Sequence, residues 1–316
     1  MMARPQPASA QRGALFRRGR GGLLRRAREL PILASLLGCA LVSILTTVGI
    51  VVVLVQETVG FFRAVSPWEF LTDTRWTPLF VEKHFGIAPL ISATFLIAAL
   101  ALAVAVPLGL GAAIYLSEYA SDRVRSLVKP VLELLAGIPT VVYGYFAISF
   151  IAPDVVQRLF GSDTVFNALS ASLAMALLLV PMVSSLSDDA MRAVPGSLRE
   201  AAYALGSSRW EVATKVVVPA ALSGIVAACL LTFARAAGET VIAYLAAGGQ
   251  PNLTWNPLEG MQTMAAYIAQ VSIGDTPRGT LEYKTIFAVG LTLFLATLLF
   301  NVASQWLLAR FREVYE

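Results

Sequence analysis

The sequence predicts an all-α, polytopic membrane protein with six transmembrane helices, and three observations carry that prediction. Mean hydropathy is +0.71, and only 14% of residues are charged against 57% hydrophobic, where a soluble domain carries about 25% charged residues. Six apolar segments each reach the roughly 20 residues that a spanning helix needs. Of the 24 Lys and Arg residues, 17 fall on one side of these segments and six on the other, with Arg235 inside a span. Such asymmetry marks the cytoplasmic side. The short alternating strands of a membrane barrel are absent.

Residues 1–29 form an Arg- and Gly-rich arm carrying eight arginines, Arg4 to Arg28. Beside a span, this charge is read as an orientation signal and not as a nucleic-acid tail. It places both termini in the cytoplasm, with the arm disordered or lying on the anionic inner leaflet. A six-span membrane domain occupies 30–316. Its first span is expected at Leu30–Val55. Leu36-Leu37-Gly38-Cys39 looks like a lipoprotein cleavage box, but the apolar run continues well past Cys39 and the stretch before it contains Pro31. An uncleaved anchor is expected.

An outer loop at 56–86 contains Trp68, Phe70, Trp76 and Phe85, which are expected at the membrane interface, with an entrance cap as the alternative. His84 is the sole histidine and supports neither a metal site nor a proton relay. In the second span, Ile87–Leu116, Pro107 removes a backbone donor and predicts a kink. The small residues Gly109 to Ala113 allow close helix approach. The third span is expected at Pro130–Ala152, with Glu133 near its inner end. The fourth, Val165–Leu186, contains Pro181. The fifth is expected at Val216–Ala247, followed by an outer loop at 248–284 and a sixth span at Thr285–Leu308. Cys39 and Cys229 fall in spans and read as small apolar packing residues, without disulfide or metal role.

Residues 187–215 make the longest gap between spans on the cytoplasmic side. Pro195-Gly196 forms a turn, and Ser197-Leu198-Arg199-Glu200 fits a capping box. Leu198, Ala201, Ala202 and Leu205 recur at helical spacing. Gly206 is suited to end the helix in a left-handed conformation, and Ser208-Arg209-Trp210-Glu211 starts another. The first helix is roughly 12 Å long, too short to be stable alone in water. It needs a surface, either the ends of its own bundle or a partner.

Arg235 and Glu239 carry charge inside the fifth span, where insertion costs about 2.5–3.5 kcal/mol, so they are expected on an interior or an aqueous cavity. Their spacing puts them on one helix face. Either they form an ion pair that makes the helix tolerable in the membrane, or the pair opens to a passing anion. The guanidinium fork suits phosphate oxyanions, and Glu239 then keeps the anion from being trapped.

No G-x-x-x-x-G-K-[ST] loop is present, so the chain has no phosphate cradle of its own for nucleotides. It also has no constellation for nucleophilic catalysis. It is read as a non-enzyme, driven by a partner or by an ion gradient. A gradient-driven transporter needs a titrating intramembrane carboxylate, and Glu239 keeps that reading open.

Glu200-Ala201-Ala202-Tyr203-Ala204-Leu205-Gly206, followed by Val218-Pro219, resembles the EAA loop of bacterial ABC importer permeases. Ala105 to Gly109, Ile114 to Tyr119, Leu135 to Gly144, Arg235 to Thr240 and Phe311 to Glu316 are similar to the PstC-type permease family of phosphate-specific importers, over about residues 30–316. The resemblance implies a type I ABC importer permease architecture and ATP-driven phosphate import. It implies coupling to an ATP-binding subunit through Glu200, Ala201, Ala202, Leu205 and Gly206, and a substrate path at Arg235, Glu239 and Thr240. It further implies a PstA-like sister permease, two PstB-like ATP-binding subunits and a PstS-like phosphate-binding protein received by the outer loops. ATP is then bound by the partner, and no cofactor by this chain. Molybdate, sulfate or phosphonate are the alternative cargoes, and a membrane subunit signalling phosphate status is an alternative class.

Overall fold

A computed structural model describes residues 21–311, with side chains over 31–306. The first part of the basic arm and the tail beyond Phe311 lie outside the described residues. The chain separates into two compact units, residues 1–53 and 54–316. Among the described residues all regular structure is helical, apart from one isolated antiparallel bridge between Trp76 and Phe85.

Helix α1 (Gly21–Phe62) begins inside the arm, earlier than expected, and is apolar enough to cross a membrane over Pro31–Phe62. After a short helix α2 (Pro67–Thr72), α3 (Ala88–Tyr119) is the second crossing and α6 (Ala168–Arg192) the fourth. They pack through a seam of small residues. Ala93, Ala98, Ala101 and Ala105 of α3 and Ala168, Ala171 and Ala174 of α6 are fully buried. A Cβ on Gly109 would lie 2.6 Å from the Val183 Cβ, so only glycine permits this approach.

The third crossing is displaced from its expected position. Residues 122–137 form a separate helix, α4 (Asp122–Gly137), that buries none of its residues. The crossing itself is α5 (Thr140–Phe160). Pro139 forces Ile138 out of helical geometry, to φ −65° and ψ 130°. The charges Asp122, Arg123, Arg125, Lys129 and Glu133 on α4 are too many for a span, so Glu133 does not lie in one. The Tyr143 hydroxyl donates to the Leu135 carbonyl across the break, at 2.8 Å.

The expected fifth span is also divided. After α7 (Gly196–Ala204), helices α8 (Arg209–Ala220) and α9 (Leu222–Ala237) are bent by 71° and together are long enough for one crossing. Helix α9 stops at Ala237, and a short π-helical turn, α10 (Ala243–Ala247), comes next. Helix α11 (Met264–Ile273) lies in the 248–284 loop with its N-cap Thr263 accepting from the Ala266 amide. Helix α12 (Leu281–Phe311) is the last crossing.

The outer-loop aromatics are mostly core and not interfacial. Phe70, Trp76 and Phe85 are buried with Phe61 and Tyr267. The Trp76 and Tyr267 rings meet edge-on at 5.1 Å, a favoured arrangement. Trp68 remains exposed. His84 Nδ1 lies 3.0 Å from Asp73 Oδ2. Burial pushes the Asp73 carboxyl up, but the Arg75 amide and His84 outweigh it and hold it below its ordinary value.

Candidate functional site

Two features meet at the end of the bundle that carries α7. The first is α7 itself. Its N-cap is Pro195, with no side-chain cap. The expected Ser197–Glu200 capping box does not form, because the extended Pro195 starts the helix early and puts Ser197 inside the first turn. The Ser208–Glu211 box does form.

Gly206 has φ +86°. Its amide donates to the Tyr203 carbonyl at 2.9 Å, and the Ser207 amide to the Ala202 carbonyl at 3.1 Å. These two bonds are those of a Schellman ending. Ala202 packs into the bundle beside Ala113, Met191, Val194 and Val212. Glu200, Ala201 and Gly206 face outward, and Leu205 is 88% exposed. The short helix therefore uses its own bundle through Ala202, while Leu205 remains uncovered.

What fixes α7 is a contact that no local spacing announced. Glu118, in the last turn of α3, is 4% exposed at its side chain and pairs with Arg199 at 3.0 Å. The same guanidinium donates to the Met191 and Val194 carbonyls, both at 2.8 Å. Arg199 thus joins α7 to α3 while satisfying carbonyls at the end of α6. Glu118 and Arg199 are 81 residues apart in sequence, so only the fold brings them together. Arg199→Gln is expected to leave Glu118 buried and unpaired. That costs about 3–5 kcal/mol where the pair is buried, and less here because Arg199 keeps some exposure. The check is a lowered Tm of the solubilised protein.

The second feature is a cavity of about 360 Å³ between α4, α6 and α9, lined among others by Lys129, Glu133, Pro181, Asp188 and Arg235. Arg235 is exposed and reaches this space. Asp188 is 1% exposed and lies 2.5 Å from Arg125 Nη2. Lys129 Nζ lies 3.9 Å from Asp188 and 3.2 Å from Asp189, and Arg192 Nε is 3.6 Å from Asp188 Oδ1. In the sequence Asp188 falls at the edge of the polar gap, where nothing marks it as buried. Its Oδ1 has no hydrogen-bond partner, and neither has Arg125 Nη1.

Glu239 does not share a helix face with Arg235, because the helix ends between them. Gly238 is the C-cap of α9. Glu239 Oε1 accepts from the Val241 and Ile242 amides, at 3.1 and 3.4 Å, and so caps the turn leading into α10. The Thr240 hydroxyl donates to the Gly238 carbonyl at 3.3 Å. Thus Arg235 shares its cavity with Lys129 and Asp188, and Glu239 is not among the residues lining it. Among the described residues, no group of three or more His, Cys, Asp or Glu is placed to hold a metal.

Residues 105–313 match the family described as binding-protein-dependent transport system inner membrane component. The chain is 34% identical over 274 residues to a probable ABC transporter permease protein, YqgH, of Bacillus subtilis, covering 86% of this chain and 88% of the relative. It is 31% identical to the phosphate transport system permease protein PstC of Mesorhizobium japonicum, covering 79% and 82%. Its fold resembles a chain of a bacterial ABC transporter involved in import of the acidic polysaccharide alginate, with TM-score 0.61 and 16% identity, covering 92% of this chain and 99% of that one.

Proposed function

This chain belongs to the binding-protein-dependent transport family of inner membrane components, and on that footing we propose that it is the permease subunit of an ATP-driven phosphate importer. It forms half of the translocation path in a bacterial inner membrane, beside a homologous sister permease. Two ATP-binding subunits engage α7 from the cytoplasm, where both termini also lie. An external phosphate-binding protein docks on the outer loops. The ATP-binding subunits supply the energy, and their closure moves α7 and so switches the cavity between outward and inward access.

The observation that carries this reading is the placement of Arg235. A permanently charged guanidinium opens onto a cavity large enough for a hydrated tetrahedral oxyanion, and a second cation, Lys129, lines the same cavity. The identity to a named phosphate permease over most of the chain favours phosphate among oxyanions. The uncovered Leu205 beside a capped corner favours a docked motor over a gradient-driven carrier.

The test is radiolabelled phosphate uptake by the complete reconstituted complex with its binding protein. Uptake is expected to require ATP, to persist when ion gradients are collapsed, and to resist excess sulfate or molybdate. Uptake without ATP, or suppression by either competitor, contradicts the proposal.

A further inference from the structure

We propose that Lys129 is a second oxyanion-binding residue of the path and that Asp188 is the resident counter-ion against which the anion competes. This rests on the oxyanion reading above and assigns to Asp188 the moderating role that sequence spacing gave to Glu239.

The cluster holds more positive charge than one carboxylate needs. Asp188 faces Arg125, Lys129 and Arg192, at 2.5, 3.9 and 3.6 Å. The Arg125 pair is the short one and is mostly buried, so Asp188 has a counter-ion without Lys129. The Lys129 ammonium is held loosely. Its nearer partner is Asp189, at 3.2 Å, whose side chain is 60% exposed, and exposed pairs of this kind bind weakly. Lys129 and Arg235 line the same cavity from different helices. An oxyanion entering there can accept from both without disturbing the Arg125–Asp188 pair.

The carboxylates set the opposing condition. Asp188 lines the cavity, and its Oδ2, the oxygen paired with Arg125, lies 3.9 Å from Lys129 Nζ, so Lys129 can return toward it when the anion leaves. Glu133, on the same helix as Lys129, adds a further negative charge at the rim. Conduction needs binding weak enough for departure, and a fixed competitor within reach of the binding cation provides that. Glu239 is not placed for this role, since its carboxylate caps the turn after α9. An alternative use of the cluster is purely mechanical, with Arg125 and Lys129 fastening α4, which buries no residue of its own, to α6. The test separates the two.

Equilibrium binding of radiolabelled phosphate, sulfate and molybdate is measured at low ionic strength on the assembled permease–ATPase complex without binding protein, alongside phosphate uptake by the full system. Lys129→Gln is expected to weaken anion binding about tenfold, and Lys129→Arg to restore it. Asp188→Asn is expected to tighten binding several-fold while slowing turnover, because the anion is no longer displaced. If Asp188→Asn does not assemble, the Lys129 pair still decides, since it leaves the buried Arg125 contact intact. Unchanged binding in Lys129→Gln overturns the proposal. So does a loss of assembled complex with no change in affinity, which marks a fastener. A wild-type complex with no saturable oxyanion binding overturns it as well. Saturable binding of sulfate or molybdate in place of phosphate, with the same Lys129 effects, upholds this site and refutes phosphate as cargo.

Discussion

Arg235→Gln is expected to lower ATP-dependent uptake by about tenfold or more while the complex still assembles. Arg235 belongs to none of the ion pairs that brace the described residues, so its removal leaves those contacts standing. Its guanidinium is exposed on a cavity, where the loss is a ligand contact. Hydrogen bonds to charged groups contribute about 1.5–3 kcal/mol, or about 10- to 150-fold in affinity. Arg235→Lys is expected to recover only part of the activity, because an ammonium keeps the charge but not the planar fork. The measurement is uptake per assembled complex, with assembly followed by co-purification of the ATP-binding subunit. Normal uptake in Arg235→Gln removes Arg235 from the path.

Gly206→Val is expected to break coupling. Nothing crowds the position, since no atom lies within 4 Å of a Cβ built there, but φ is +86°. The cost is therefore conformational. Left-handed geometry disfavours any side chain by about 1–2 kcal/mol and a β-branched one more strongly. A valine at this corner would relieve that strain by opening the Schellman bonds to the Tyr203 and Ala202 carbonyls, turning α7 and Leu205 away from their present position. Uptake and the ATP hydrolysis stimulated by the liganded binding protein are expected to fall together. Gly206→Asn is the control, since asparagine tolerates this geometry, and it is expected to retain both activities. Equal loss in the two variants would point to crowding by a partner, and retention in Gly206→Val would remove the corner from the coupling path.

The features legible in the sequence are those written in short range. The apolar runs place the crossings formed by α3 and α6 to within a few residues, and Gly206 and the Ser208–Glu211 box are readable because each is a local backbone requirement. Three features are not. The third crossing is expected to begin at Pro130, ahead of Pro139, because Val131 to Ala136, interrupted only by Glu133, looks continuous with Val141 to Ala152, and average hydropathy over that stretch does not reveal that α4 carries too much charge to span. Arg235 and Glu239 satisfy helical spacing, yet Gly238 ends the helix between them. Glycine inside an apolar run is common in membrane helices, so it gives little warning. The Glu118–Arg199 and Arg125–Asp188 pairs join segments 81 and 63 residues apart. Their only sequence signal is a carboxylate at the end of an apolar run, which ordinarily reads as a solvated helix end.

The central claim is that α7 is moved by an ATP-binding subunit, and Leu205 offers the most direct access to it. In a chain carrying Cys39→Ser and Cys229→Ser, Leu205→Cys can be linked by a short bifunctional maleimide to single cysteines placed across the surface of the ATP-binding subunit in the assembled complex. The expected result is a crosslink confined to one groove of that subunit, whose yield changes between the nucleotide-free and ATP-bound states. Leu205→Cys that labels from outside sealed cells, or that forms no crosslink to the ATP-binding subunit in either state, would contradict the claim.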